Sequence, residues 1–198
     1  LQPQLDLNSG AVIGVEALAR WRQADGQSVP PLQFIPLAET TGYILPLGDL
    51  LLRLSLQAAK RLADAGYGGI RVAVNVSAAQ LLQPDFVERF DAHLRAAEVR
   101  AQQVEVEITE SVAMRNFDSV CTQLSALRER GVSVAIDDFG TGFSSLSYLR
   151  LLPADRLKID RSFIMEIGAV ADHQLIAEAV IQIAARVGMQ VIAEGVET

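Results

Sequence analysis

The sequence predicts an α/β fold, a (β/α)8 barrel of the TIM type whose first strand runs antiparallel. Three observations carry that prediction. Short β-rich runs alternate with longer helical patterns, the mark of βα units and a mainly parallel sheet. The first two β-rich runs are joined by Asn8-Ser9-Gly10, a hairpin-type turn, and should therefore pair antiparallel. Several strands also carry charge on one face. In a barrel that charge has a place, the inward face near the C-terminal strand ends. An open doubly wound sheet fits the alternation equally well; the polar residues favour the closed form.

The β-rich runs fall at 2–7, 12–20, 70–77, 104–109, 132–138, 156–160 and 189–194. In the third, Val72, Val74 and Val76 share one face, with Arg71, Ala73, Asn75 and Ser77 on the other. Val104, Val106 and Ile108 alternate with Glu105 and Glu107, and Leu157 and Ile159 with Arg156, Lys158 and Asp160. A helix is predicted from Leu50 to Ala65, stopped by Gly66 as C-cap, and others at 84–97, 117–130 and 173–187. The last two end at Arg130-Gly131 and Val187-Gly188.

The chain has 198 residues, 50% hydrophobic and 21% charged, enough apolar material for a real core. No linker-like or low-complexity tract divides it, so it reads as one domain. Seventeen Lys and Arg against 24 Asp and Glu give a net charge of -7, which argues against a protein that coats polymeric nucleic acid. A small phosphorylated ligand held through metal ions stays compatible with it. The lone Cys121 forms no internal disulfide, and two His make no zinc-type ligand set. Cys121 should be a packed thiol, His93 and His173 surface residues, and Trp21 an ordinary packing residue. The apolar stretch from Ile44 to Leu56 contains Asp49 and Arg53, so no membrane segment is expected. The chain starts at Leu1 without Met or signal peptide, and reads as a piece of a longer cytoplasmic protein whose parent is free to be membrane-anchored.

Polar groups recur at the C-terminal strand ends: Glu16, Asn75, Glu107, Asp137 with Asp138, Lys158 and Glu194. From Asn75 onward the steps are 32, 30, 21 and 36 residues, each about one βα unit. Five carboxylates, an amide and an ammonium should thus converge on one end of the fold. Carboxylates so crowded raise one another's pKa, and divalent cations relieve the repulsion. An all-oxygen ligand set suits Mg2+ or Mn2+ rather than zinc. Successive Asp137 and Asp138 should point in different directions, one inward and one sideways, flanking two ions. Any one of these acids has an alternative use as a helix cap, and Lys158 as a plain counter-charge; seven groups in phase with the strands favour a site. The segment Asp137 to Ser145, with Gly140 and Gly142, reads as a functional loop. Its Asp138-Phe139-Gly140 triplet has no kinase context around it.

These residues resemble the EAL-domain family of cyclic di-GMP phosphodiesterases. The signature stands as Glu16-Ala17-Leu18, followed by Ala19-Arg20. Asn75-Val76-Ser77, Glu107-Ile108-Thr109-Glu110, the Asp137–Ser145 loop, Lys158-Ile159-Asp160-Arg161-Ser162-Phe163 and Glu194-Gly195-Val196-Glu197 match in order, as does Phe34-Ile35-Pro36-Leu37-Ala38-Glu39. The likeness spans essentially the whole chain. It implies metal-dependent hydrolysis of one phosphodiester bond of cyclic di-GMP to the linear dinucleotide pGpG. By the resemblance, Glu16, Asn75, Glu107 and Asp137 hold one Mg2+ or Mn2+, and Asp137 with Asp138 a second. Glu194 is a ligand or a water-mediated support, and Lys158 orients and helps deprotonate the attacking water. Glu110 anchors the loop, Arg20 contacts a ligand phosphate with Leu18 beside it in the substrate site, and Glu197 belongs to the outer shell around the metals. The resemblance also implies a homodimer and upstream sensor or GGDEF-type domains. It places a further helix and strand, with a site-lining Gln, beyond Thr198. A barrel of this type has about 250 residues, and seven strands are predicted where eight are expected, so residues 1–198 read as an EAL-type domain short of its last strand. The rival readings are a receptor that binds cyclic di-GMP without cleaving it and an interaction scaffold that needs no metal.

Overall fold

In the computed structural model, which describes residues 1–140, 146–165 and 171–196, the chain opens with the expected antiparallel hairpin. Strands β1 (Gln2–Leu5) and β2 (Val12–Ala17) are joined by a turn in which the Asp6 carboxylate accepts from the Ser9 amide and hydroxyl at 2.8 and 2.7 Å. Gly10 takes the left-handed backbone that closes it, φ 70°. The strand expected at 12–20 ends at Ala17, so Leu18 and Arg20 lie past its end. Next comes an unforeseen ribbon of β3 (Trp21–Arg22) and β4 (Ser28–Val29). Trp21 meets Phe34 edge to face at 5.8 Å between ring centroids, yet stays 46% exposed.

Helix α1 (Pro31–Thr41) was not foreseen. Pro31 opens it, where a missing N–H costs nothing, and Gly42 ends it in the left-handed conformation. Helix α2 runs Ile44–Leu62, beginning six residues before the expected Leu50. Pro46 sits in its first turn, whose amides have no intrahelical acceptor, so it is tolerated there. Gly66 breaks the helical path at φ 90°, as its position predicts. Strand β5 (Arg71–Asn75) pairs parallel with β2. After it, α3 (Ala78–Leu81) carries a capping box between Ser77 and Gln80, and α4 is Phe86–Ala97. Leu52, Leu56 and Ala59 of α2, Phe86, Phe90 and Leu94 of α4, and Val72 and Val74 of β5 are all buried. The Arg89 guanidinium on α4 donates to Asp49 on α2 at 2.8 Å, and His93 Nε2 stands 4.0 Å from the same carboxylate. The His93 side chain is 22% exposed, half-buried in this helix pair rather than on the surface as expected.

The chain packs as two compact units, Leu1–Val106 and Glu107–Thr198, and β6 (Val104–Thr109) runs from one into the other. The C-terminal unit contains α5 (Glu110–Met114), α6 (Phe117–Glu129), β7 (Ser133–Phe139), α7 (Leu146–Leu149), β8 (Arg156–Ile159), α8 (Arg161–Met165), α9 (Ala171–Val187) and β9 (Gln190–Ala193). Strands β7, β8 and β9 pair in parallel register, and every one of the seven strand runs predicted is present. Val120, Leu124 and Leu127 of α6 and Ala177, Val180 and Ala184 of α9 supply buried helix faces. Cys121 on α6 is only partly buried, its Sγ 4.0 Å from the Leu151 carbonyl oxygen. Burial and the nearby Asp118 push its thiol pKa up.

The charges that the alternation sets on one face of β6 and β8 are buried. Glu105, Glu107 and Lys158 expose 1%, 0% and 1%. No packing requirement places charge there, so it marks a site.

Candidate functional site

Lys158 is the centre of the C-terminal unit's polar group. It sits mid-strand on β8, and its Nζ lies 2.9 Å from Glu107 Oε2, 3.1 Å from Asp137 Oδ2 and 2.7 Å from Glu194 Oε1. These partners come from β6, from β7 and from the residue just after β9, so parallel strands deliver the cluster. A buried ammonium is tolerable only with such partners. One ammonium against three carboxylates leaves negative charge in excess. A divalent cation relieves such repulsion between carboxylates.

Asp137, Asp138 and Glu194 provide a place for one. A carboxylate oxygen from each lies within 4.8 Å of the other two. In a regular strand, consecutive Asp137 and Asp138 would face opposite sides. The β7–β8 register, however, shifts between Ile136 and Phe139, and Asp138 has φ 53°, a left-handed backbone tolerated by Asp. The Asp138 amide donates to Asp137 Oδ1 at 2.9 Å and steadies the irregularity. Strain of this kind gathers at functional sites. The bulge leaves one oxygen of each carboxylate within 4.8 Å of one on Glu194. A one-residue bulge has no mark in the residue pattern, so the sequence offered no signal for it.

Glu110 stands at the first position of α5, which Thr109 caps through the Val112 amide, and it is 4% exposed. Its Oε2 accepts from the Gly140 amide at 2.9 Å, directly after β7. Gly140 has φ 99°, and a Cβ there would come within 3.0 Å of the Phe163 ring. Glu110 and Phe163 thus hold one peptide between them. In the sequence, Phe163 is marked only as the last residue of the Lys158–Phe163 motif. Residues 141–145 of the expected loop, and Glu197, lie outside the described residues.

In the N-terminal unit, Glu16 is 9% exposed near the end of β2, and Asn75 closes the neighbouring β5. The Asn75 amide donates to Glu16 Oε1 at 2.8 Å, which fixes how the carboxylate is presented. Leu18 is half-buried, and Arg20 is exposed with Nη1 on the Ala19 carbonyl at 2.9 Å.

The family model described as EAL domain matches residues 1–198. The chain belongs to the EAL-domain family. It is 46% identical over 197 residues to the cyclic di-GMP phosphodiesterase NbdA of Pseudomonas aeruginosa, covering 100% of this chain and 25% of that protein. It is 39% identical to the bifunctional diguanylate cyclase/cyclic di-GMP phosphodiesterase MucR of the same organism, 29% of which it covers. The chain therefore spans roughly a quarter of the length of these curated relatives. Among solved structures it matches the MucR phosphodiesterase in complex with c-di-GMP at 39% identity and TM-score 0.95, over 100% of this chain and 80% of that one. The EAL domain of Mycobacterium smegmatis DcpA follows at 38% and 0.83, with the same coverage. The family's TIM-barrel-like α/β fold, its first strand antiparallel, is the fold class that the sequence predicted.

EAL phosphodiesterases depend on divalent metal, and the donors of this EAL chain fit one. Asp137, Asp138 and Glu194 bring only hard carboxylate oxygens, with no Cys or His in the group. That chemistry suits Mg2+ or Mn2+. Among the described residues, no helix is long and apolar enough to cross a membrane.

Proposed function

We propose that this chain hydrolyses one phosphodiester bond of cyclic di-GMP to give pGpG, using two Mg2+ or Mn2+ ions. The observation that carries the reading is Lys158, buried among Glu107, Asp137 and Glu194. A phosphodiester is anionic and repels hydroxide, so its hydrolysis needs positive charge and a nucleophile in one place. Divalent ions, when bound, neutralise the phosphate and acidify a water. Glu16, Asn75, Glu107, Asp137 and Asp138 serve as their ligands, with Glu194 as ligand or water-mediated support. Lys158 orients the attacking water and helps its deprotonation, its positive charge favouring the hydroxide over the neutral water. Glu110 acts at one remove, fixing the Gly140 peptide that follows the two aspartates. Arg20, with Leu18 beside it, meets a ligand phosphate, and Glu197 supports the metal ligands from outside. The domain works in the cytoplasm as a homodimer, one module of a longer signalling protein.

The test is product analysis of cyclic di-GMP incubated with the purified chain and Mg2+ or Mn2+. Linear pGpG should accumulate, and Glu16→Ala should abolish it. Nucleotide binding by calorimetry with no product in either metal would overturn hydrolysis in favour of a receptor. Loss of both metal and nucleotide binding would point to an interaction scaffold instead.

A further inference from the structure

Asn75 is exposed, so packing alone does not hold its carboxamide where it meets Glu16. It also lies one residue past the last β2–β5 pair, Ala17 with Val74. The backbone that follows is fixed more firmly. Val76 is buried, and Ser77, two residues after Asn75, is tied to Gln80 three times. The Gln80 Oε1 accepts from the Ser77 amide at 3.2 Å and from its hydroxyl at 2.8 Å. The Gln80 backbone amide donates to Ser77 Oγ at 3.3 Å.

Gln80 is held in turn by α2. Its side chain is 5% exposed, and its carboxamide lies directly on Gly48. A Cβ at Gly48 would stand 2.0 Å from Nε2, 2.2 Å from Cδ and 2.6 Å from Oε1. Gly48 sits in the interior of α2, where glycine is the poorest choice after proline. It has no positive φ to require a glycine; the space it leaves is taken by the Gln80 carboxamide. Helix α3 is a single turn of four residues, and capping it does not call for a slot cut into another helix. A line of contacts therefore runs from Gly48 through Gln80 to the Val76–Ser77 peptide, one residue from the Asn75 that orients Glu16.

We propose that Gln80, seated in the Gly48 slot, is a positioning residue for divalent metal: it fixes the backbone from which Asn75 presents the Glu16 carboxylate. This rests on the reading that Glu16 and Asn75 are metal ligands. Mn2+ is titrated calorimetrically into the full chain without nucleotide, below the unfolding temperature of each variant, and the binding step that Asn75→Ala weakens is the readout. Gln80→Met keeps the volume in the slot and removes the acceptor; it should weaken that step about tenfold. Gly48→Ala favours α2 but expels the Gln80 carboxamide, and should weaken the step to the same degree. In an Asn75→Ala background Gln80→Met should add nothing, because its route to the metal is gone. The proposal fails if either Gln80→Met or Gly48→Ala binds Mn2+ as the wild type does. It fails too if Gln80→Met costs as much in the Asn75→Ala background, which would mean general loosening of the unit. Full Mn2+ affinity in Asn75→Ala itself would overturn the ligand reading, and the proposal with it.

Discussion

Lys158 and Glu107 meet at 2.9 Å across 51 residues of sequence, and neither side chain exposes more than 1% of its surface. Desolvating both charges is costly, and their attraction offsets that only while both are present. Lys158→Met should therefore destabilise the fold by about 3–5 kcal/mol, because it removes the cation that Glu107, Asp137 and Glu194 share and leaves their charges repelling one another. Glu107→Gln keeps an acceptor for Nζ and should cost less. Urea unfolding of the two variants checks the order. Equal and small losses would show that the group is hydrated and its charges individually dispensable.

Among the described residues, the hydrogen-bond partner of the Glu110 carboxylate is the Gly140 amide. Glu110→Ala should thus lower hydrolysis of cyclic di-GMP by one to two orders of magnitude, about 1.4–2.8 kcal/mol of barrier, while Mg2+ affinity by calorimetry stays near wild type. Glu110→Gln retains an acceptor oxygen and should recover part of the loss. If Glu110→Ala abolishes metal binding as well, Glu110 acts as a ligand and not through the peptide it holds.

Gly140 is constrained twice, by φ 99° and by the Phe163 ring. A side chain in left-handed backbone costs about 1–2 kcal/mol, and the contact with Phe163 adds to it. Gly140→Ala should lower thermal stability and also slow hydrolysis, since the same peptide follows Asp137 and Asp138. In a Phe163→Leu background the steric part should shrink, so the double variant should be less impaired than the two single effects combined. Strict additivity would leave backbone conformation as the whole cause.

The order of strands was legible because each carries its own alternation, and Glu105, Glu107 and Lys158 stood out as charges in runs too apolar to face water. What was not legible lies where backbone geometry overrides residue pattern. The bulge at Asp137 and Asp138 depends on one register shift against β8, which neither residue announces. Helix α1 has Pro31 at its start and Pro36 inside it, so its sequence lacks the uninterrupted helical pattern of α2. His93 reads as a surface residue on its own helix; only the packing of α2 against α4 brings Asp49 beside it.

Asp160 offers a test by pH. It precedes α8, and its Oδ1 accepts from the Ser162 amide at 3.0 Å and from the Ser162 hydroxyl. Burial pushes its carboxyl pKa up, but the Ser162 hydrogen bonds, the Arg161 amide and the Arg161 charge together outweigh this and hold it below the ordinary 3.8. A lowered folded-state pKa means that the ionised form stabilises the fold. That contribution is complete above the unfolded carboxyl's range and is lost as pH falls through the folded value. Asp160→Asn keeps the shape and removes the charge. Wild type should accordingly be the more stable of the two at neutral pH, and their unfolding free energies should converge on acidification below about pH 4. A difference that stays constant down to that range would assign the effect to hydrogen-bond geometry alone, with no part for the charge.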